Sequence, residues 1–284
     1  AIIARQTEIK SQAAAELFAL QAKIEDERRL NGWMQDLLTG TDTQLVDAVK
    51  EALRKLGFAK VVDVDEHRDK EGKARREDLQ INDLVPVLIV DIKGLGGHPS
   101  DDDAFQSHKH ATLRIQEWKR FEVQPLTIIN HQRYLPPLSR DNVMPFRQEI
   151  LNFADEVKMG LVTSWDLYRL VRSAIKWNWK AEHTMPVLYG IGRIEPVPKH
   201  YMFIGTVVHV WTGVASIQIE NVSLMRGNRI AFELDVEFEE QEITSLQLDK
   251  KAVETAAVGQ RVGTTTKLLR PLLRDGVRVF LVQN

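Results

Sequence analysis

Residues 76–93 read Arg-Glu-Asp-Leu-Gln-Ile-Asn-Asp-Leu-Val-Pro-Val-Leu-Ile-Val-Asp-Ile-Lys, and this stretch restricts the fold more than any other in the chain. Val87-Leu88-Ile89-Val90 has the composition of a strand buried on both faces, and it runs straight into Asp91-Ile92-Lys93. Alternation along a strand sends Asp91 and Lys93 to one face and Ile92 to the other. Charges at the end of a buried strand need a partner or an open cleft, because burying them alone is costly. Asp78 arrives about one strand length earlier, before a short apolar segment. Two carboxylates so placed can hold a hard divalent cation through oxygen. Lys93 would then steady or polarise an attacking water, or neutralise charge on a phosphate. The bland alternative is a surface salt bridge at a strand end.

Glu77-Asp78 and Asp91-Ile92-Lys93-Gly94 together resemble the active-site hairpin of the PD-(D/E)xK nuclease superfamily. That resemblance implies Asp78 and Asp91 as metal carboxylates and the carbonyl of Ile92 as a further ligand. It also implies Lys93 as the catalytic lysine, Mg²⁺ or Mn²⁺ as cofactor, and a nucleic-acid substrate, DNA ahead of RNA. Residues 43–58 fit the same picture. Leu45, Val49, Ala52, Leu53 and Leu56 form one apolar helical stripe, and Val61-Val62-Asp63-Val64 follows as a strand. Related nucleases often carry a glutamate in this helix where Val46 stands here. Asp47 and Glu51 share a helical face and are accessory candidates, or plain surface charge.

Residues 65–77 are rich in charge and read as a solvated hairpin. Lys73, Arg75 and Arg76 are the candidates there for phosphate contact beside the cleft. Gly94-Leu-Gly-Gly-His-Pro-Ser-Asp-Asp-Asp103 reads as a flexible loop, since neither the Walker order nor a dinucleotide spacing is present. His98, His108 and His110 stand near three aspartates and could mimic a zinc site, although loop and helix-surface histidines are far commoner. The periodicity predicts a helix over 104–121. Gln106, His110 and Gln116 are its polar candidates beside the site. A strand over 124–130, a helix over 145–155, a strand over 160–163 and a helix from Ser164 complete an α/β sandwich around a mixed sheet. Asn130, Arg133 and Arg140 are candidates for the site rim, with Arg133 the further nucleic-acid contact. Trp177 and Trp179 either stack on bases or pack between domains.

The expected organisation is an α/β, restriction-endonuclease-like mixed sheet flanked by helices over residues 39–180. A helical or coiled-coil segment over 1–38 precedes it, and a linker over 181–200, punctuated by Pro and Gly, follows. Ile9, Ala13, Leu17, Leu20 and Ile24 mark the first helix. It would fold back on its domain, form a homodimer, or extend as a rod from an upstream domain absent from this chain, which begins at Ala1. Over 201–284, Ile-Gly-Thr-Val, Leu-Met-Arg-Gly-Asn-Arg-Ile and Ile-Thr-Ser-Leu-Gln-Leu occur in order. They resemble the second-domain barrel of translation elongation GTPases, which implies a small antiparallel β-barrel. No GTPase motif accompanies it.

Composition sets outer limits. The chain has 284 residues, a net charge of −2 and no cysteine. Disulfides, thiolate zinc sites and cysteine nucleophiles are excluded, and any affinity for nucleic acid must rest on a local surface. No apolar run is long enough to span a bilayer and no signal peptide is visible, so the expectation is a cytoplasmic protein. The alternatives to a nuclease are a catalytically inactive nucleic-acid-binding or regulatory module, and an assembly protein.

Overall fold

A computed structural model describes residues 2–283. The first helix, α1 (Ile2–Thr39), is followed at once by α2 (Asp42–Lys55). The predicted stripe of α2, from Leu45 to Leu56, is fully buried. Helix α1 packs on the rest of the chain at its C-terminal end. Ile9, Leu17, Leu20 and Ile24 are between 50% and 59% exposed, and buried packing starts only near Trp33 and Leu37.

A six-stranded sheet follows: β1 (Val61–Asp63), β2 (Leu79–Ile81), β3 (Val87–Gly94), β4 (Val123–Asn130), β5 (Gly160–Thr163) and β6 (Gly192–Arg193), in that spatial order. The pairs β1–β2 and β2–β3 are antiparallel, while β3 to β6 run parallel, so the sheet is mixed as expected. Its interleaved helices are α3 (Val64–Lys70), α4 (Asp101–Trp118), α5 (Gln148–Glu156) and α6 (Ser164–Trp177). Leu88, Val90 and Ile92 pack with α2 and α6, whereas Val87 and Ile89 pack with Ala111 of α4. The period-two alternation read from the sequence is therefore physical, and Asp91 follows the odd-numbered face toward α4.

Residues 65–77 correct one expectation. They begin as α3 and continue as a loop, rather than forming a hairpin. Asp63 caps the helix by accepting from the Glu66 amide at 2.9 Å, and two acidic residues, Asp65 and Glu66, occupy its first turn. The expected linker is structured. It contains α7 (Ala181–Thr184), a 3₁₀ turn (Met185–Tyr189) and β6, and its Leu188 and Ile194 join the first core.

Beyond it lie β7 (Tyr201–Trp211), β8 (Val214–Ile219), β9 (Leu224–Met225), β10 (Arg229–Glu233), β11 (Phe238–Glu242), β12 (Leu246–Leu248), β13 (Lys251–Val253), β14 (Thr255–Ala256), β15 (Arg261–Thr265) and β16 (Arg278–Val282). Eight of these form an antiparallel sheet ordered β11-β10-β16-β7-β8-β15-β12-β13, around a core that includes Ile204, Ile217, Phe232 and Val262. The sheet is barrel-like but does not close. Among the described residues no ladder joins β11 to β13. Near Thr265 only side chains cross, with Gln241 donating to its carbonyl at 2.8 Å and Thr244 bonding its hydroxyl at 2.9 Å.

Helix α6 joins the two parts. Ser173 accepts from the Phe238 amide, Trp177 donates to the Phe238 carbonyl, and Arg169 pairs with Glu233 at 2.9 Å. Trp179 packs against Tyr201 and Phe238. Both tryptophans thus pack between the two parts. No described helix is long and apolar enough to cross a membrane.

Candidate active site

The β2–β3 ladder ends at Leu79↔Val90. One residue before β2, the side chain of Asp78 continues the pairing by accepting the Ile92 amide at 2.6 Å. That bond fixes the carboxylate beside the carboxyl end of β3. Asp91 is 1% exposed; its Oδ2 meets Nδ1 of His110 at 2.9 Å, and its buried Oδ1 has no partner. Asp78, Ile92, Lys93, Gln106 and His110 line one cleft of about 640 Å³, with Asp91 directly behind His110. Gly94 closes the end of this cleft. A Cβ there would lie 2.8 Å from the Gly40 carbonyl and from Thr41, so glycine lets the α1–α2 junction sit against the strand.

Burial raises Asp78 to about 7. The Ile92 amide opposes that rise, the charge of Asp91 adds to it, and Lys93 offsets part of it. Asp91 is also raised, first by burial, against the pull of His110. Burial pulls His110 down, but the hydrogen bond and charge of Asp91 more than offset it, so His110 titrates above its usual value. Two desolvated carboxylates side by side are what a cation would relieve.

Three side chains of α4 hold this region. Glu117 pairs with Arg76, Arg114 with Glu77 at 2.7 Å, and His110 with Asp91. Glu77 is fully buried and one of its oxygens is unpartnered. The other predicted residues divide. Asp47 lines the cleft and pairs with Lys50 at 2.8 Å. Glu51 pairs with Arg54 and Lys55, outside the lining. Arg75 and Arg76 line the cleft, although Arg75 is paired with Asp69 at 2.7 Å. Lys73 pairs with Glu71, and Arg133 lies 4.2 Å over the ring of Tyr134; neither lines the cleft.

Asn130 and Arg140 form a buried clamp rather than a rim. Asn130 donates to the Gly40 carbonyl and accepts from Arg140, which also reaches the Leu38 carbonyl. The three histidines diverge: His98 neighbours His131, His108 meets Phe153 edge-on, and only His110 reaches the cleft. Lys50, Asp63, Asp65 and Asp69 also line the cleft and escaped the sequence reading. The acidic run Asp63, Asp65 and Asp69, which begins at the end of the first strand, was the available signal.

Among the described residues no group of three or more His, Asp or Glu side chains is arranged to hold a metal ion. The donor set expected from the sequence is smaller: the carboxylates of Asp78 and Asp91 and the carbonyl of Ile92. The unpartnered Oδ1 of Asp91 and the raised titration of Asp78 fit that smaller set.

No protein-family model matches the chain, and no curated protein does. Among solved structures, the C-terminal domain of a Geobacillus thermoleovorans protein described as a U32 peptidase is 21% identical over 28% of this chain and 91% of that one, with a TM-score of 0.26. Translation elongation factor SelB from Methanococcus maripaludis, in its apo form, is 11% identical over 68% of this chain and 41% of that one, with a TM-score of 0.25. Likenesses this faint carry no argument about the fold or the chemistry of this chain.

Proposed function

We propose that the chain is a metal-dependent nuclease of PD-(D/E)xK type, hydrolysing phosphodiester bonds in DNA ahead of RNA. One observation carries this reading: Asp78 and Lys93 share one cleft with His110, whose Nδ1 meets Asp91, a buried aspartate with one orphaned oxygen. The order α2-β1-α3-β2-β3-α4-β4, around a sheet antiparallel on one side and parallel on the other, supports it. Asp78, Asp91 and the Ile92 carbonyl would hold Mg²⁺ or Mn²⁺. Such an ion, when bound, supplies Lewis acidity and a water of lowered pKa. Lys93 sets its ammonium against the charge that develops on the phosphate. Arg75 and Arg76 would hold the neighbouring backbone, and Gln106 lines the same cleft. The reading is of a cytoplasmic protein.

Purified protein with Mg²⁺ or Mn²⁺ is expected to cut DNA or RNA. Lys93→Ala is expected to lose cutting by about 100-fold or more while keeping its melting temperature. Equal residual activity in the two proteins would assign the cutting to a contaminant.

A second reading, a binding module that no longer cuts, is favoured by two features. Val46 lines the cleft where related nucleases often have a glutamate, and the lining carries seven carboxylates against four cationic side chains. Metal-independent affinity without cleavage across DNA and RNA forms would select it.

A further inference from the structure

We infer that His110 is a positioning residue for Asp91, holding its carboxylate in the orientation a divalent cation needs. This rests on the nuclease reading of the same cleft. The observation is a strand-end aspartate that is 1% exposed, held at one oxygen by an imidazole nitrogen 2.9 Å away and left without a partner at the other. A ligand carboxylate fixed at one oxygen presents the second in a single orientation, and such outer partners set metal affinity nearly as strongly as the ligands do.

The sequence builds this contact through the packing of α4. A Ser100–Asp103 capping box fixes where the helix starts. Its buried positions are small: Ala104, Ser107 and Ala111. The Thr127 hydroxyl bonds both Ser107, at 2.7 Å, and the Ala104 carbonyl, at 2.8 Å, which holds the helix close on the sheet. At that distance the residue one turn beyond Gln106 reaches the end of β3. Because Asp91 is bonded to Nδ1, the other ring nitrogen of His110 is left for the cleft that His110 lines.

The test is a calorimetric Mn²⁺ titration of the full chain and of three variants, each checked for an unchanged melting temperature. His110→Ala and His110→Leu remove the donor, the second at similar volume. His110→Asn sets an amide nitrogen where Nδ1 stood. The expected result is roughly a 10- to 100-fold loss of Mn²⁺ affinity in the first two, with most of it restored by asparagine. Wild-type affinity in His110→Ala or His110→Leu would overturn the assignment. So would an asparagine variant that folds yet binds as weakly as leucine. A wild type that takes up no Mn²⁺ would overturn the cation reading and this inference with it, whereas the variant outcomes overturn this inference alone.

Discussion

A carboxylate kept out of water beside a second carboxylate weakens the fold that holds it, and Asp78 is in that position. Burial raises it to about 7, so its charged form opposes folding at higher pH and the penalty fades as pH falls through about 7. Asp78→Asn keeps an acceptor for the Ile92 amide and removes the charge. Without divalent cations it is expected to melt higher than wild type near pH 8, with the gap shrinking near pH 5. Thermal denaturation at both values checks this, and an equal gap would contradict it. Glu77 presents the reverse case. It is fully buried and depends on Arg114, so Arg114→Ala is expected to cost about 3–5 kcal/mol in urea unfolding. Asp78, Asp91 and Lys93 were legible because their spacing survives in one dimension. The hold of His110 on Asp91 was not, since it joins a helix to a strand 19 residues away.

The elements divide along the same line. Helix α2 and strands β3, β4 and β5 were readable because their apolar residues are the ones that become buried. Helix α4 was readable as a helix but not as a surface. Its large apolar residues Leu113 and Trp118 stay 43% and 37% exposed, Phe121 beyond it is 85% exposed, and its core face is made of Ala and Ser. Helix α3 was read as a hairpin because capping by Asp63 leaves little trace in a charge-rich run. The exposed row on α1 belongs to this scale too. We propose that it pairs with a second copy of the chain. Removing residues 1–29 is expected to leave the melting temperature of the remainder within about 2 °C, since Ile9, Leu17, Leu20 and Ile24 among them are exposed. Light scattering should find a dimer only when they are present, and a full-length monomer would remove the proposal.

At the scale of the whole chain, the two sheets are tied through α6 by ion pairs and by backbone bonds from side chains, so the halves should lose structure together. Two buried histidines set the acid limit. Burial lowers His131 to about 4, with Arg140 adding to the effect, and lowers His200 to about 4, with His183 adding. Unfolded, both take up protons below their ordinary 6.5, while the folded chain resists until about 4. Stability held above that upper value should therefore fall as the pH drops across the interval. The melting temperature of Asp78→Asn, which lacks the part of the opposing titration that Asp78 supplies, is the measurement to follow, and a flat profile would contradict the expectation. The open edge of the second sheet was not legible in the sequence, because strand spacing specifies turns but not whether the last strand meets the first.

The bond from Ile92 to Asp78 has a spectroscopic consequence. This amide lies past the last rung of its antiparallel ladder, so a carboxylate oxygen is its acceptor there. Anything that draws that oxygen away must change the proton resonance and deuterium exchange of a single backbone group. One assigned peak, followed during a titration with a diamagnetic ion such as Mg²⁺, would report occupancy of the cleft without a substrate, a label or a turnover.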